Sequence, residues 1–219
     1  MAQEVTYVNY TVGEERFNWI THLIGAVLAV AALVISVVFA VTGGNVWAIV
    51  SCAVYGGTMI LLYSMSTVYH ALPKIPAKKV FRVIDHCSVF MLIAGTYTPY
   101  TLVTLRGVTD WIGWAVFGLV WAAAVFGIIL NAISVEKFAK VSMACYIVMG
   151  WSIVLSLYTL IQGMELAGII LVITGGIFYT VGAVLYGVGK KIRYMHSVWH
   201  IFVILGSLFQ FFSILFYVV

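Results

Sequence analysis

Seven apolar stretches, each long enough to cross a bilayer, fill nearly all of this 219-residue chain, and they limit its fold more than any other feature. A spanning helix takes about 20 predominantly apolar residues. Breaks in apolarity place the stretches at about 17–41, 47–71, 83–105, 111–133, 141–162, 166–188 and 194–218. The expected class is all-α: a polytopic membrane protein with residues 1–16 as a short polar cytoplasmic tail and 17–219 as a seven-helix transmembrane domain. Charged residues make up 8% and apolar residues 64%, with mean hydropathy +1.13, whereas a soluble domain carries roughly a quarter charged residues.

The breaks carry helix-ending chemistry: Gly43-Gly44, Pro73 and Pro76, Arg106-Gly107, Glu136 to Lys140, Gln162-Gly163 and Gly189 to Arg193. Connections this short make sequential helices antiparallel. Pro99 lies inside the third stretch and predicts a kink there. Ala183 and Gly187, four residues apart in the sixth stretch, predict close helix contact. The first stretch exceeds the roughly 7–15 residues of a signal-peptide apolar region and reads as a retained helix.

Loop charge orients the bundle. Lys74, Lys78, Lys79 and Arg82 follow helix 2, Lys137 and Lys140 follow helix 4, and Lys190, Lys191 and Arg193 follow helix 6, with Arg106 alone on the other side. The positive-inside rule then places the N-terminus in the cytoplasm, the C-terminus outside, and the protein in the inner (cytoplasmic) membrane. The net charge of +4 belongs to these loops, and no nucleic-acid surface is expected from it. Cys52, Cys87 and Cys145 sit in separate apolar runs without CxxC spacing, so buried free thiols are expected. No phosphate-binding glycine loop or nucleophile elbow occurs.

On this map all five histidines fall near one face. His22 opens helix 1, His70 closes helix 2, His86 opens helix 3, and His196 and His200 open helix 7, with Asp85 as the one acid inside an apolar span. Ionisable groups in a bilayer face the bundle interior or a wet cavity, and a shared metal ion accounts for several at one depth. His196 and His200, four residues apart, lie on one helix face within reach of a common ion, although such a pair also serves interhelical hydrogen bonding. His70 adds a third imidazole, and three histidines plus water form an open zinc site; iron, copper and nickel also accept imidazole.

Ser66, one turn before His70, is a candidate beside the site or a hydroxyl bonded to its own backbone. Asp85 is the acid/base candidate, with a helix-dipole role and an Arg82 pairing as the alternative. His196-Ser-Val-Trp-His200 lacks the glutamate of a metalloprotease HExxH helix. His86 and Cys87 are rotated away from Asp85; His86 reads as a residue supporting the site from behind or as a packing residue, Cys87 as core, and His22 as a structural polar contact.

The segments Ser66-Thr-Val-Tyr-His70, Asp85-His-Cys-Ser, Ala94-Gly-Thr-Tyr-Thr-Pro-Tyr100 and His196-Ser-Val-Trp-His200 together resemble the bacterial hemolysin III proteins, relatives of the progestin and adipoQ receptors. That resemblance implies seven helices and one zinc ion near the inner surface, held by the residues matching His70, His196 and His200, with Ser66 and Asp85 completing the site. The related alkaline ceramidases hydrolyse lipid amides. Spacing on helix 3 differs among those relatives, so Asp85 rests less on the resemblance than the histidines do.

The leading functional expectation is a zinc-dependent hydrolase of a lipid amide or ester, with a membrane lipid as substrate. The alternatives are a receptor-like regulator of membrane lipid state that uses zinc structurally, with lipid as ligand, and a pore-forming cytolysin, whose polar groups should continue across the bilayer.

Overall fold

The computed structural model describes residues 10–188 and 192–219. Seven helices are long and apolar enough to cross a membrane: α1 Val12–Thr42, α2 Val46–Ala71, α3 Pro76–Val108, α4 Asp110–Ile133, α5 Val135–Gly163, α6 Leu166–Val188 and α7 Met195–Tyr217. Among the described residues there is no strand. The protein is therefore an all-helical, multi-pass membrane protein, its large exposed apolar side chains turned toward lipid. Residues 1–9 of the expected tail, and Lys190 and Lys191 of the expected sixth loop, lie outside the described residues.

Three helices begin earlier than hydropathy predicts, each for a capping reason. At α1, Thr11 and Glu14 form a capping box: Glu14 N–H donates to Thr11 Oγ1 at 3.3 Å and Thr11 N–H to Glu14 Oε2 at 2.8 Å. Helix therefore runs through residues 12–16, which hydropathy assigns to the tail. Pro76 occupies the first turn of α3, where its missing N–H costs nothing, so Lys78, Lys79 and Arg82 are helical rather than loop residues. At α5, Ser134 accepts from Lys137 N–H at 3.2 Å, which brings Glu136 to Lys140 into the helix. The break before it is the single extended residue Ser134.

Sequential neighbours pack around the bundle, α1 on α2, α2 on α3, α3 on α4, α4 on α5 and α6 on α7, and α1 also packs on α7. Pro99 does not stop α3. The backbone opens into a π-helical segment over Tyr100–Leu105, a wider turn that accommodates the lost donor. In α6 the close approach falls on Gly182 rather than Gly187: a Cβ on Gly182 would lie 2.6 Å from Phe202 Cβ, whereas nothing lies within 4 Å of one on Gly187. The expected Ala183–Gly187 stripe is corrected accordingly, because Gly187 lies on the outer side of the helix. Cys52, Cys87 and Cys145 are free thiols.

Candidate metal centre

The N-terminal ends of α1, α3 and α7 and the C-terminal end of α2 meet at one end of the bundle, and this brings three imidazoles together. His70, His196 and His200 each offer a ring nitrogen, and these atoms all lie within 4.8 Å of one another. His196 Nε2 lies 3.1 Å from His70 Nε2 and 3.0 Å from His200 Nε2. His70 and His200 are fully enclosed, at 2% and 1% exposure.

The other ring nitrogens set the protonation pattern. His70 Nδ1 lies 2.6 Å from Glu15 Oε2. His200 Nδ1 lies 3.2 Å from the Asn18 carbonyl and 3.4 Å from Thr21 Oγ1. A carboxylate and a carbonyl only accept, so each of these Nδ1 atoms carries the proton and leaves its Nε2 a lone pair. Two lone pairs then point at a third imidazole nitrogen, an arrangement that hydrogen bonding alone satisfies poorly and a cation satisfies fully. Zinc–nitrogen bonds of about 2.0–2.1 Å in a tetrahedron separate nitrogens by about 3.3 Å, close to the spacing here. The three histidines therefore fit a metal ion, and among the described residues their group has no fourth protein ligand.

Asp85 is not a member of the three-imidazole group; with Ser66 it lies on the wall of a cavity that His196 and His200 also line. The expected pairing of Asp85 with Arg82 is replaced by an ion pair between Arg82 and Glu136. The α3 backbone beside Asp85 is braced from two helices: Tyr146 Oη donates to the His86 carbonyl at 2.8 Å, and Asn131 Nδ2 donates to the same carbonyl at 3.2 Å. His86 donates Nδ1–H to the Arg82 carbonyl at 2.9 Å, and Cys87 contacts the Ile128 carbonyl, so neither joins the imidazole group.

His22 stacks face to face on His200, ring centroids 3.5 Å apart and 10° from parallel, with Tyr63 at its edge. Its ring nitrogens have no partner among the described residues. The Tyr10 ring stacks on His196 at 5.0 Å, and Tyr186, which lines the cavity, approaches the same imidazole at 5.3 Å. Burial, reinforced by the surrounding tyrosines, Asp85 and Glu15, raises the Tyr10 phenol far above its ordinary pKa and keeps it neutral.

The cavity has a volume of about 200 Å³. It leaves the histidine end between α2, α3, α5, α6 and α7 and continues to Gln210, ten residues beyond His200, or about 15 Å at the helical rise. Val89, Ile93, Ile147, Leu157 and Val203 give it an apolar wall, with Tyr100 and Gln210 hydrogen-bonded to each other at 2.7 Å toward the far end.

Glu15, Asn18 and Thr21 were absent from the sequence-based candidates, although all three contact the imidazoles. Asn18 is fully buried: its Oδ1 accepts from Ser197 Oγ at 2.6 Å, and its backbone carbonyl meets His200. The signal available was Thr11-Val-Gly-Glu14, which starts the helix early enough for Glu15, Asn18 and His22 to share one face.

Residues 10–211 match the model of a family described as haemolysin-III related. The chain is similar to "Hemolysin-3" of Bacillus cereus, 41% identical over all of this chain and 98% of that protein. It is also similar to "Hemolysin-3 homolog" of Bacillus subtilis (strain 168), 40% identical over 96% of this chain and 97% of the relative. A human "Monocyte to macrophage differentiation factor" is 27% identical over 92% of this chain and 83% of its own length. No solved structure matches the chain at a significant level.

Proposed function

The chain belongs to the haemolysin-III-related family, and on that premise we propose that it is a zinc-dependent hydrolase of a membrane lipid amide or ester, working at the cytoplasmic face. The observation that carries this reading is an open group of three imidazoles, two of which, His196 and His200, line an apolar cavity that also presents Asp85 and Ser66. A closed structural zinc site has four protein ligands, whereas three leave a position for chemistry. The basic residues Lys74, Lys78, Lys79, Arg82, Lys137 and Lys140 gather at the same end of the bundle as the histidines, which supports the cytoplasmic placement.

His70, His196 and His200 would hold the ion, each through Nε2. Zinc so held supplies a Lewis acid and lowers the pKa of water at its open position. Asp85 accepts a proton on its carboxylate as water attacks the acyl carbon, then returns it to the leaving nitrogen or oxygen. Ser66 presents its hydroxyl on the same cavity wall as the Asp85 carboxylate. The apolar wall holds the acyl chain and excludes bulk water, and Tyr10 stacks on His196.

Purified protein in lipid nanodiscs is expected to release fatty acid from a ceramide-like or phospholipid substrate. Chelation should abolish release, and added zinc should restore it. Release that persists after chelation, or none from either lipid class in zinc-loaded protein, contradicts the assignment.

A further inference from the structure

The shortest contact on these imidazoles comes from a residue with no part in the chemistry above. Glu15 uses its two carboxylate oxygens on different partners: Oε2 lies 2.6 Å from His70 Nδ1, and Oε1 accepts from Lys78 Nζ at 2.8 Å. Lys78 also donates to the Leu72 carbonyl at 2.8 Å, one of the groups left open where α2 ends. The Lys78 side chain lies over the Tyr69 ring at 5.2 Å and is only 5% exposed. A chain of contacts thus runs from α3 through α1 to the ligand on α2.

We propose that Glu15 is a positioning residue of the metal centre, held in place by Lys78, that fixes both the ring orientation and the tautomer of His70; this rests on the reading of His70, His196 and His200 as metal ligands. An ionised carboxylate cannot donate, so its contact requires the proton on Nδ1 and delivers the Nε2 lone pair toward His196. A carboxylate behind a ligating imidazole also raises its basicity toward the metal. Asn18 Nδ2, at 3.5 Å from the same Nδ1, is at the limit of a hydrogen bond and does not replace Glu15. The three ligands are buttressed unequally: His70 by a carboxylate, His200 by a carbonyl, and His196 Nδ1 by no partner among the described residues. Glu15 is therefore the strongest lever on the centre among the groups that do not ligate.

The test is the zinc affinity of detergent-solubilised full-length protein, measured by competition with a chromophoric chelator, alongside the visible absorption of the cobalt-substituted form. Glu15→Gln should weaken zinc binding by roughly 10–100-fold and shift the cobalt bands, as loss of such an outer partner does. Glu14→Gln is the comparison: it disturbs the same helical turn, through Thr11 and the Tyr194 N–H, without touching His70, and should keep both affinity and spectrum. Wild-type affinity and spectrum in Glu15→Gln, or equal changes in the two variants, would overturn the positioning role alone. Wild-type protein that binds neither zinc nor cobalt would overturn the metal-site reading, and this proposal with it.

Discussion

Replacing Asp85 by Asn is expected to leave the metal in place and to slow lipid hydrolysis by roughly 10²–10⁴-fold, the range that a positioned proton-transfer group contributes. The two halves of this expectation come from separate observations. Asp85 is not a member of the three-imidazole group, so metal content should not depend on its charge. It does line the cavity with His196 and His200, and it is enclosed at 9% exposure on a backbone braced by Tyr146 and Asn131. Asn has the same shape, so folding should survive; what disappears is the capacity to accept a proton. Turnover and metal content measured on one preparation decide the matter. Undiminished turnover would remove Asp85 from the chemistry, and loss of the metal would recast it as a ligand.

The second large effect concerns packing. Gly127 on α4 faces Phe90 on α3, a fully buried ring that also packs on Tyr146 at 4.4 Å between centroids. A Cβ on Gly127 would lie 2.1 Å from Phe90 Cζ. Gly127→Leu should therefore separate α3 from α4 and lower stability by about 1–3 kcal/mol or more, the cost of overpacking a filled core. Phe90 follows Asp85 by five residues on the same helix, so the disturbance reaches the cavity wall that Asp85 lines. Gly118→Leu, on the same helix with nothing within 4 Å of its added Cβ, should be nearly neutral or stabilising. Thermal unfolding in detergent separates the cases. Equal melting temperatures for the two variants would show that the α3–α4 contact does not limit stability.

The seven helices were legible because lipid imposes a length and a composition on every span, and both are one-dimensional properties. His196 and His200 were legible from their four-residue spacing, and His70 from its depth at the end of α2. Hydropathy could not extend α1 back to Val12, since its first turn holds Gly13, Glu14 and Glu15, and the start depends on a local cap. With that turn read as tail, Glu15 was invisible as a partner of His70. Lys78 illustrates the same limit, because a lysine after an apolar run reads as a topology charge, yet here it is buried and paired. Close approaches such as Gly127 on Phe90 and Gly182 on Trp199 require knowing which helix faces which, and no periodicity within a single span supplies that.

The most direct test of the metal centre is elemental analysis of protein purified without added metal, then reloaded and washed, for wild type and for His70→Ala, His196→Ala and His200→Ala. The predicted result is one zinc ion per chain in wild type and substantial loss in each variant, with all four proteins eluting as the same folded species. Stoichiometric metal surviving all three substitutions, or a folded wild type that retains none after loading, would contradict a centre built on these three imidazoles.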